Sequence, residues 1–118
     1  MRIALNANRI IRVFDSEDLI MVTVDVAKNN TCKVVIAGGR EFSVHCSVSK
    51  LVERLEPQMG GRFFRITRDT CINIDYVHEL STDVELRLFD RSVNKLLPKL
   101  LILSRARILS LVDLLTKE

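Results

Sequence analysis

The chain has 118 residues, of which 47% are hydrophobic and 28% are charged, and it carries a net charge of +3. Such a composition suits one soluble globular domain over residues 1–118 and excludes a low-complexity or collagen-like chain. The modest positive charge favours anionic partners slightly but identifies none of them.

Neither membrane insertion nor secretion is indicated by the sequence. Its apolar runs are far shorter than the roughly 20 residues that cross a membrane. The N-terminus also lacks the apolar core of a signal peptide. We therefore expect a cytoplasmic protein with no membrane partner.

Three cysteines, Cys32, Cys46 and Cys71, are odd in number and lack the close paired spacing of zinc sites and disulfide frameworks. We interpret them as small buried hydrophobic residues. No metal and no other cofactor is therefore expected, while a redox role of these thiols stays open.

The first half of the chain predicts four short strands. Residues 9–14 and Leu19–Val24 are rich in β-branched side chains and flank a polar turn. Cys32–Ile36 and Arg40–Val44 flank Gly38-Gly39, and glycines readily adopt the positive φ angles of a tight hairpin turn. This second pair should therefore form a β-hairpin.

A helix should follow these strands. Apolar residues recur there with a spacing of three and four, at Val48, Leu51, Val52 and Leu55. The spacing predicts an amphipathic helix over residues 47–56, with Ser47 as its N-cap. Pro57 and the glycine pair at 60–61 should end it.

The second half predicts further strands and a closing helix. The predicted strands are residues 63–66, 71–74, Val77–Leu80 and 84–89. Residues 91–101 should form a loop or one helical turn, because Pro98 interrupts any longer helix. A final helix should start at Ser104, its N-cap, with an apolar stripe at Ile108, Leu111, Val112 and Leu115. The expected fold is mainly β (α+β), with small antiparallel sheets and one or two short helices.

Titratable side chains do not form a catalytic signature. His45 and Cys46 are adjacent, but neighbouring residues of a strand point to opposite faces, which argues against a Cys-His nucleophile pair. His78, on a predicted strand, suits a solvent-facing histidine better than a metal ligand. The glycine pairs lack the phosphate-loop pattern. We therefore predict neither enzyme activity nor nucleotide binding.

Residues 63–73 read FFRITRDTCIN, and Ser104-Arg105 follow about thirty residues later. Over residues 10–115 the chain resembles the LytTR family of bacterial DNA-binding domains. The central segment of that family reads Phe, hydrophobic, Arg, hydrophobic, His, Arg or Asn, Ser, any residue, two hydrophobics, Asn. The matching residues are Phe63, Arg65, Arg68 and Asn73, whereas Thr67 and Asp69 replace the His and the Ser.

This resemblance implies a mainly β domain that binds double-stranded DNA by inserting loops into the major groove. It also implies a transcriptional regulator of a bacterial two-component system, with a receiver or sensor domain supplied in cis or in trans. The 118 residues contain no receiver, and both an excised domain and a stand-alone regulator stay open. A homodimer on repeated half-sites is a further possibility.

Two loops are the first candidate DNA contacts that the resemblance implies. In residues 27–31, Asn29 or Asn30 would read a base and Lys28 would bind a phosphate; the alternative is an Asn-Asn turn that tolerates positive φ. After the strand at 63–66, Thr67 and Arg68 occupy the positions that face DNA in the family, and the planar fork of arginine can match guanine. The alternative for Arg68 is an exposed ion pair with Asp69.

A third candidate region is the start of the closing helix. Ser104 could cap the helix and let its first N–H groups approach a phosphate, with Arg105 and, more weakly, Arg107 beside it. The alternative is a helix start with basic residues, which is unfavourable for the helix dipole. Arg65 and Asn73 are assigned to structure.

The alternative function is a protein-interaction or dimerisation module that keeps the fold but has lost DNA binding. It is motivated by Thr67, Asp69 and the modest charge. The apolar closing segment, residues 96–115, also favours it, because an exposed apolar stripe there could contact another chain.

Overall fold

A computed structural model describes residues 1–81, 85–97 and 101–116. In chain order, the elements are β1 (Arg2–Ala7), β2 (Ile10–Asp15), β3 (Leu19–Val24), β4 (Cys32–Ile36), β5 (Arg40–Val44), α1 (Val48–Leu55), β6 (Phe63–Thr67), β7 (Thr70–Asn73), β8 (Val77–Leu80), β9 (Glu85–Asp90), β10 (Lys95–Leu96), β11 (Leu101–Ile102) and α2 (Arg105–Thr116). Antiparallel sheets with two short helices confirm the predicted mainly β architecture.

A five-stranded sheet with the order β5-β4-β3-β7-β6 forms the central layer. All its neighbouring strands are antiparallel, and Val22 of β3 pairs with Val34 of β4 and with Cys71 of β7. Because side chains alternate along a strand, β3, β4, β6 and β7 send apolar residues to both faces of the sheet. The sheet is therefore covered on both sides.

One face packs against the β1–β2 hairpin and α1. Its buried cluster includes Leu5 and Phe14 from the hairpin, Val22 and Val34 from the sheet, and Leu51 from α1. Helix α1 forms as expected: Ser47 is the N-cap, and its side chain accepts a hydrogen bond from the Lys50 N–H.

The opposite face packs against β9, β11 and α2. Leu86 and Leu88 of β9, Leu101 of β11 and Leu111 of α2 share a buried cluster with Ile72 of the sheet. Strand β9 pairs with β8, β10 and β11, so this second layer is a small antiparallel sheet of its own. Together the three layers place the central sheet between two apolar clusters.

Strand β1 was not predicted, although its burial alternates strictly along the strand. Ile3, Leu5 and Ala7 face the core, a period of two that is typical of a half-buried strand. Strand β2 pairs with β1 rather than with β3, which follows it in the chain. The polar segment between β2 and β3 is thus a connection between two sheets, with a 3-10 turn at Ser16–Asp18.

Residues 91–101 do not form only a loop or helical turn, and that prediction is wrong at β10 and β11. Both short segments pair with β9: β10 lies opposite Phe89 and Asp90, and β11 lies opposite Glu85 and Leu86. This pairing buries Leu101. Pro98, on which the prediction rested, lies outside the described residues. Val84, the first residue of the predicted strand 84–89, also lies outside them.

Helix α2 begins after Ser104 as predicted, but its buried stripe differs from the expected one. Leu111 is fully buried and Ile108 is half-buried, whereas Val112 and Leu115 are exposed. The reason is tertiary: Leu111, with Ile108 and Leu114 beside it, packs into the second cluster, which includes neither Val112 nor Leu115 among the described residues.

Two buried polar side chains bind backbone groups of neighbouring elements, Asp90 between layers and Asn73 within the central sheet. Asp90, at the end of β9, accepts hydrogen bonds of 3.0 Å from the N–H groups of Gly38 and Gly39, which adopt positive φ in the β4–β5 hairpin. Asn73 donates to the Leu19 carbonyl and accepts from the Asp75 N–H, which confirms the structural role expected for it. Each side chain therefore satisfies backbone groups of a neighbouring element.

Candidate nucleic-acid interface

Two of the three candidate regions meet at one end of the central sheet. The β3–β4 loop and the β6–β7 turn both project there, because β3 is antiparallel to β4 and to β7. The N–H of Val24 at the end of β3 donates a 3.0 Å hydrogen bond to the carbonyl of Asp69. The two loops are thus adjacent and joined through the backbone.

The β3–β4 loop closes on itself and leaves its polar side chains outside. The Asp25 N–H donates to the Thr31 carbonyl at 2.9 Å, and the Asp25 carboxylate accepts from the Ala27 N–H at 3.1 Å. Lys28, Asn29 and Asn30 are all exposed. Asn30 has a φ of 50°, so the turn interpretation of this asparagine holds, and its exposed amide can still meet a ligand.

The side chain of Arg65 stabilises the turn that carries Arg68. The guanidinium of Arg65 donates to the carbonyl of Arg68 at 2.6 Å and to the carbonyl of Thr67 at 3.3 Å. It also donates to Ser49 Oγ at 2.8 Å, which links the turn to the first turn of α1. In addition, Thr67 Oγ1 accepts from the Asp69 N–H. The turn is therefore fixed while its own side chains face outward.

Arg68 is the most accessible cation of this turn. Its side chain is 90% exposed, and its Nε lies 3.8 Å from Asp69 Oδ1. Such an exposed pair contributes little to folding, because solvent screens both charges. Five guanidinium N–H donors are therefore available to a ligand at little cost to the fold.

A shallow pocket joins the two loops to the start of α1. Its walls include Asn30 from the first loop, Arg68 and Asp69 from the second, and Ser47 and Ser49 at the helix start. Sequence reasoning missed Ser49 as a site residue. The sequence could have indicated it, because Ser49 lies two residues after the Ser47 cap and both hydroxyl groups are therefore at the N-terminus of α1.

The third region belongs to the second layer. Ser104 follows β11, and its Oγ accepts a 3.3 Å hydrogen bond from the Arg107 N–H, which confirms it as the N-cap of α2. Arg105 and Arg107 are exposed in the first turn of the helix. The structure thus brings the first two regions together and holds the third on the neighbouring layer.

The histidines and cysteines take structural positions. His45 Nδ1 lies 3.3 Å from Thr31 Oγ1, and His78 stacks on Phe89 with ring centroids 5.1 Å apart. Burial raises the pKa of the Cys32 and Cys71 thiols to about 12, which keeps them protonated at neutral pH. Cys46, by contrast, is only half-buried. Within residues 1–81, 85–97 and 101–116, no cluster of three or more potential ligands could hold a metal ion.

The family model of the LytTr DNA-binding domain matches residues 9–115. The chain belongs to the LytTR family. LytTR domains are DNA-binding output domains of response regulators, and the family is not one of enzymes. The matched range includes the β3–β4 loop, the Arg68 turn and the start of α2.

A solved structure shares the fold of this LytTR domain. It is described as the LytTr DNA-binding domain of a methyl-accepting/DNA response regulator from Bacillus cereus. The two chains are 14% identical, their TM-score is 0.64, and the similarity covers 98% of this chain and 96% of the other. No curated protein matches the chain significantly. Among the described residues, no helix is long and apolar enough to span a membrane.

Proposed function

We propose that this LytTR domain binds double-stranded DNA sequence-specifically through loop residues and regulates transcription in the bacterial cytoplasm. The supporting observation is the exposed Arg68 on a turn fastened by Arg65, directly beside the exposed asparagines of the β3–β4 loop. Residues 1–118 would act as one domain, with a receiver or sensor domain in cis or in trans.

Arg68 is assigned the main base contact. A guanidinium can donate two parallel hydrogen bonds to O6 and N7 of guanine in the major groove. Its turn is fixed by hydrogen bonds to Arg65, so little conformational freedom of the backbone would be lost on binding. The hydroxyl of Thr67 lies in the same turn and is a second candidate for contact with DNA.

The β3–β4 loop is assigned one base contact and one phosphate contact. Asn29 or Asn30 presents an amide whose donor and acceptor match adenine. Lys28 would pair with a phosphate, which positions the loop without reading sequence.

The start of α2 is assigned to the DNA backbone. Ser104, Arg105 and Arg107 place a hydroxyl, two cations and the first helical N–H groups together, and a phosphate would compensate the unfavourable position of basic residues at a helix N-terminus.

The decisive experiment is selection from random duplexes followed by titration of binding with salt. Specific binding predicts an enriched motif. It also predicts that the logarithm of the binding constant falls with the logarithm of the salt concentration, with a slope of magnitude about 0.9 per phosphate contacted. Arg68→Ala should weaken binding to the selected duplex by about 1–3 kcal/mol. Arg54→Ala removes the same charge from the last turn of α1 and should leave affinity almost unchanged. Failure to enrich any motif would refute the proposal.

A protein contact through α2 is the second candidate function, and one observation favours it. Leu109 is 73% exposed, and Val112 and Leu115 are also exposed, so the described part of α2 presents apolar side chains to solvent. Sedimentation over a range of concentrations tests for a homodimer. Leu109→Gln should shift a dimer to monomer, and a monomer at every concentration would contradict self-association.

A further inference from the structure

The β1–β2 turn contains two consecutive residues in the left-handed region of φ. Asn8 has a φ of 54° and Arg9 a φ of 69°. A two-residue hairpin turn of this type favours Asn followed by Gly, because glycine has no Cβ to clash. Arginine at the second position therefore carries a conformational cost that glycine would avoid.

Among the described residues, no hydrogen bond or ion pair of the Arg9 side chain compensates this cost. The backbone N–H of Arg9 donates to Asn6 Oδ1 at 3.1 Å, a bond that a glycine would make equally well. The guanidinium has no hydrogen-bond or ion-pair partner within residues 1–81, 85–97 and 101–116. The backbone conformation of this exposed turn is unfavourable, and the exposed Arg9 side chain does not stabilise it. This combination points to a role of Arg9 outside folding.

The turn lies at the same end of the molecule as the β3–β4 loop. A groove between the hairpin and β5 has Asn8 and Arg12 on one wall and Lys28, Thr31 and His45 on the other. Val44 at the end of β5 pairs with Cys32 at the start of β4, which fixes this end of the groove beside the loop.

The electrostatic balance of the groove is positive. Arg12 and Lys28 line it, and Arg9 lies in the adjoining turn. Glu41 is the acidic residue of the lining, and its carboxylate lies 3.8 Å from Lys33 Nζ. A polyanion that touches Lys28 would therefore meet further cations on the hairpin side rather than repulsion.

We propose that Arg9 is a further DNA contact, which binds a backbone phosphate next to the bases read from the β3–β4 loop. This inference rests on the proposed function and extends it to the β1–β2 hairpin. The contact is electrostatic and sequence-independent, so it would raise affinity and set the position of the loop without reading a base.

Arg9→Gly is the sharpest test, because it should change folding and binding in opposite directions. The urea midpoint should rise, since glycine suits the left-handed conformation. DNA affinity should fall by about eightfold at 0.1 M salt, with the log–log slope smaller by about 0.9, which is the loss of one phosphate contact.

Two control variants separate charge from conformation. Arg9→Gln removes the cation but keeps a side chain in the left-handed conformation, so it should lose the same affinity and salt slope as Arg9→Gly without the rise in urea midpoint. Arg2→Ala removes a cation at the far end of the hairpin, where Arg2 pairs with Asp15, and should retain affinity and slope.

The possible outcomes distinguish this inference from the proposed function. If Arg9→Gly keeps both affinity and slope while Arg68→Ala loses affinity, the Arg9 contact is refuted and the proposed function stands. A lower urea midpoint for Arg9→Gly would overturn the argument from conformation. No DNA binding by the wild-type chain would overturn the inference and the proposed function together.

Discussion

Arg65 donates a 2.6 Å hydrogen bond from Nη2 to the main-chain carbonyl of Arg68, three residues further along the chain. The same nitrogen reaches Ser49 Oγ at 2.8 Å, so one guanidinium joins β6, the turn and α1. Two arginines of one short segment thus have different tasks. Arg65 holds the turn, and Arg68 is left accessible on it.

Arg65→Lys tests the holding role, because lysine keeps the charge but lacks the planar fork. We expect specific DNA binding to weaken by about tenfold, or about 1.4 kcal/mol, as the turn loosens. The log–log salt slope should stay unchanged, since no phosphate contact is removed. A slope smaller by about 0.9 would instead show that Arg65 itself binds a phosphate.

Asp69→Ser restores the family residue and removes a carboxylate 3.8 Å from the Arg68 guanidinium. Affinity for the selected duplex should rise by about fivefold at low salt, because a negative charge near phosphates costs about 1 kcal/mol. The gain should shrink as salt screens the charge. Asp15→Asn, at the far end of the hairpin, is the charge-matched control. Weaker binding by Asp69→Ser would show that Asp69 orients Arg68 productively.

A buried pair of hydroxyl groups joins β3 to β7 below the candidate interface, with Thr23 Oγ1 2.9 Å from Thr70 Oγ1. Either Thr→Val change alone should lower the free energy of unfolding by about 1–3 kcal/mol, because the other hydroxyl stays buried without a partner. The double variant should recover most of that loss. Urea unfolding of all four proteins measures the coupling, and additive losses would contradict it.

The buried Cys71 thiol predicts a loss of stability at high pH. Its pKa is about 12 in the fold, against 9.0 for an exposed thiol, so the unfolded chain loses this proton first as pH rises. The contribution of Cys71 to the free energy of unfolding is fully present below pH 9. It falls by up to about 1.4 kcal/mol per pH unit between pH 9 and 12. Urea unfolding of wild type and Cys71→Ala should show a shallower decline for the variant. If the free energies of unfolding of the two proteins fell in parallel with pH, the proposed effect of burial on the Cys71 pKa would be contradicted.

Local structure could be predicted from the sequence where a short-range signal decides it. Strands β3, β4 and β5 have the predicted bounds, because β-branched runs between turn residues leave few alternatives. The caps at Ser47 and Ser104 were likewise predictable, since a hydroxyl before a helical pattern meets an N–H within three residues.

Pairings between distant segments could not be predicted in the same way. Strand β2 pairs with β1 instead of β3, and β11 pairs with β9, because these choices depend on which surfaces the other layers leave open. The buried side of α2 was also undetermined, since several leucines could equally have faced the core. Only packing against the second cluster selects Leu111.

For the candidate interface, the sequence by itself determined which side chains are proposed to contact DNA. It contains the arginine at 68, the asparagines at 29 and 30, and a helix start at Ser104 that matches the family. Tertiary structure alone decided that the first two regions meet, through a backbone bond between Val24 and Asp69, and that the β1–β2 turn shares a groove with the β3–β4 loop. The physical reason is that chemistry belongs to individual residues, whereas proximity depends on contacts between segments far apart in the chain.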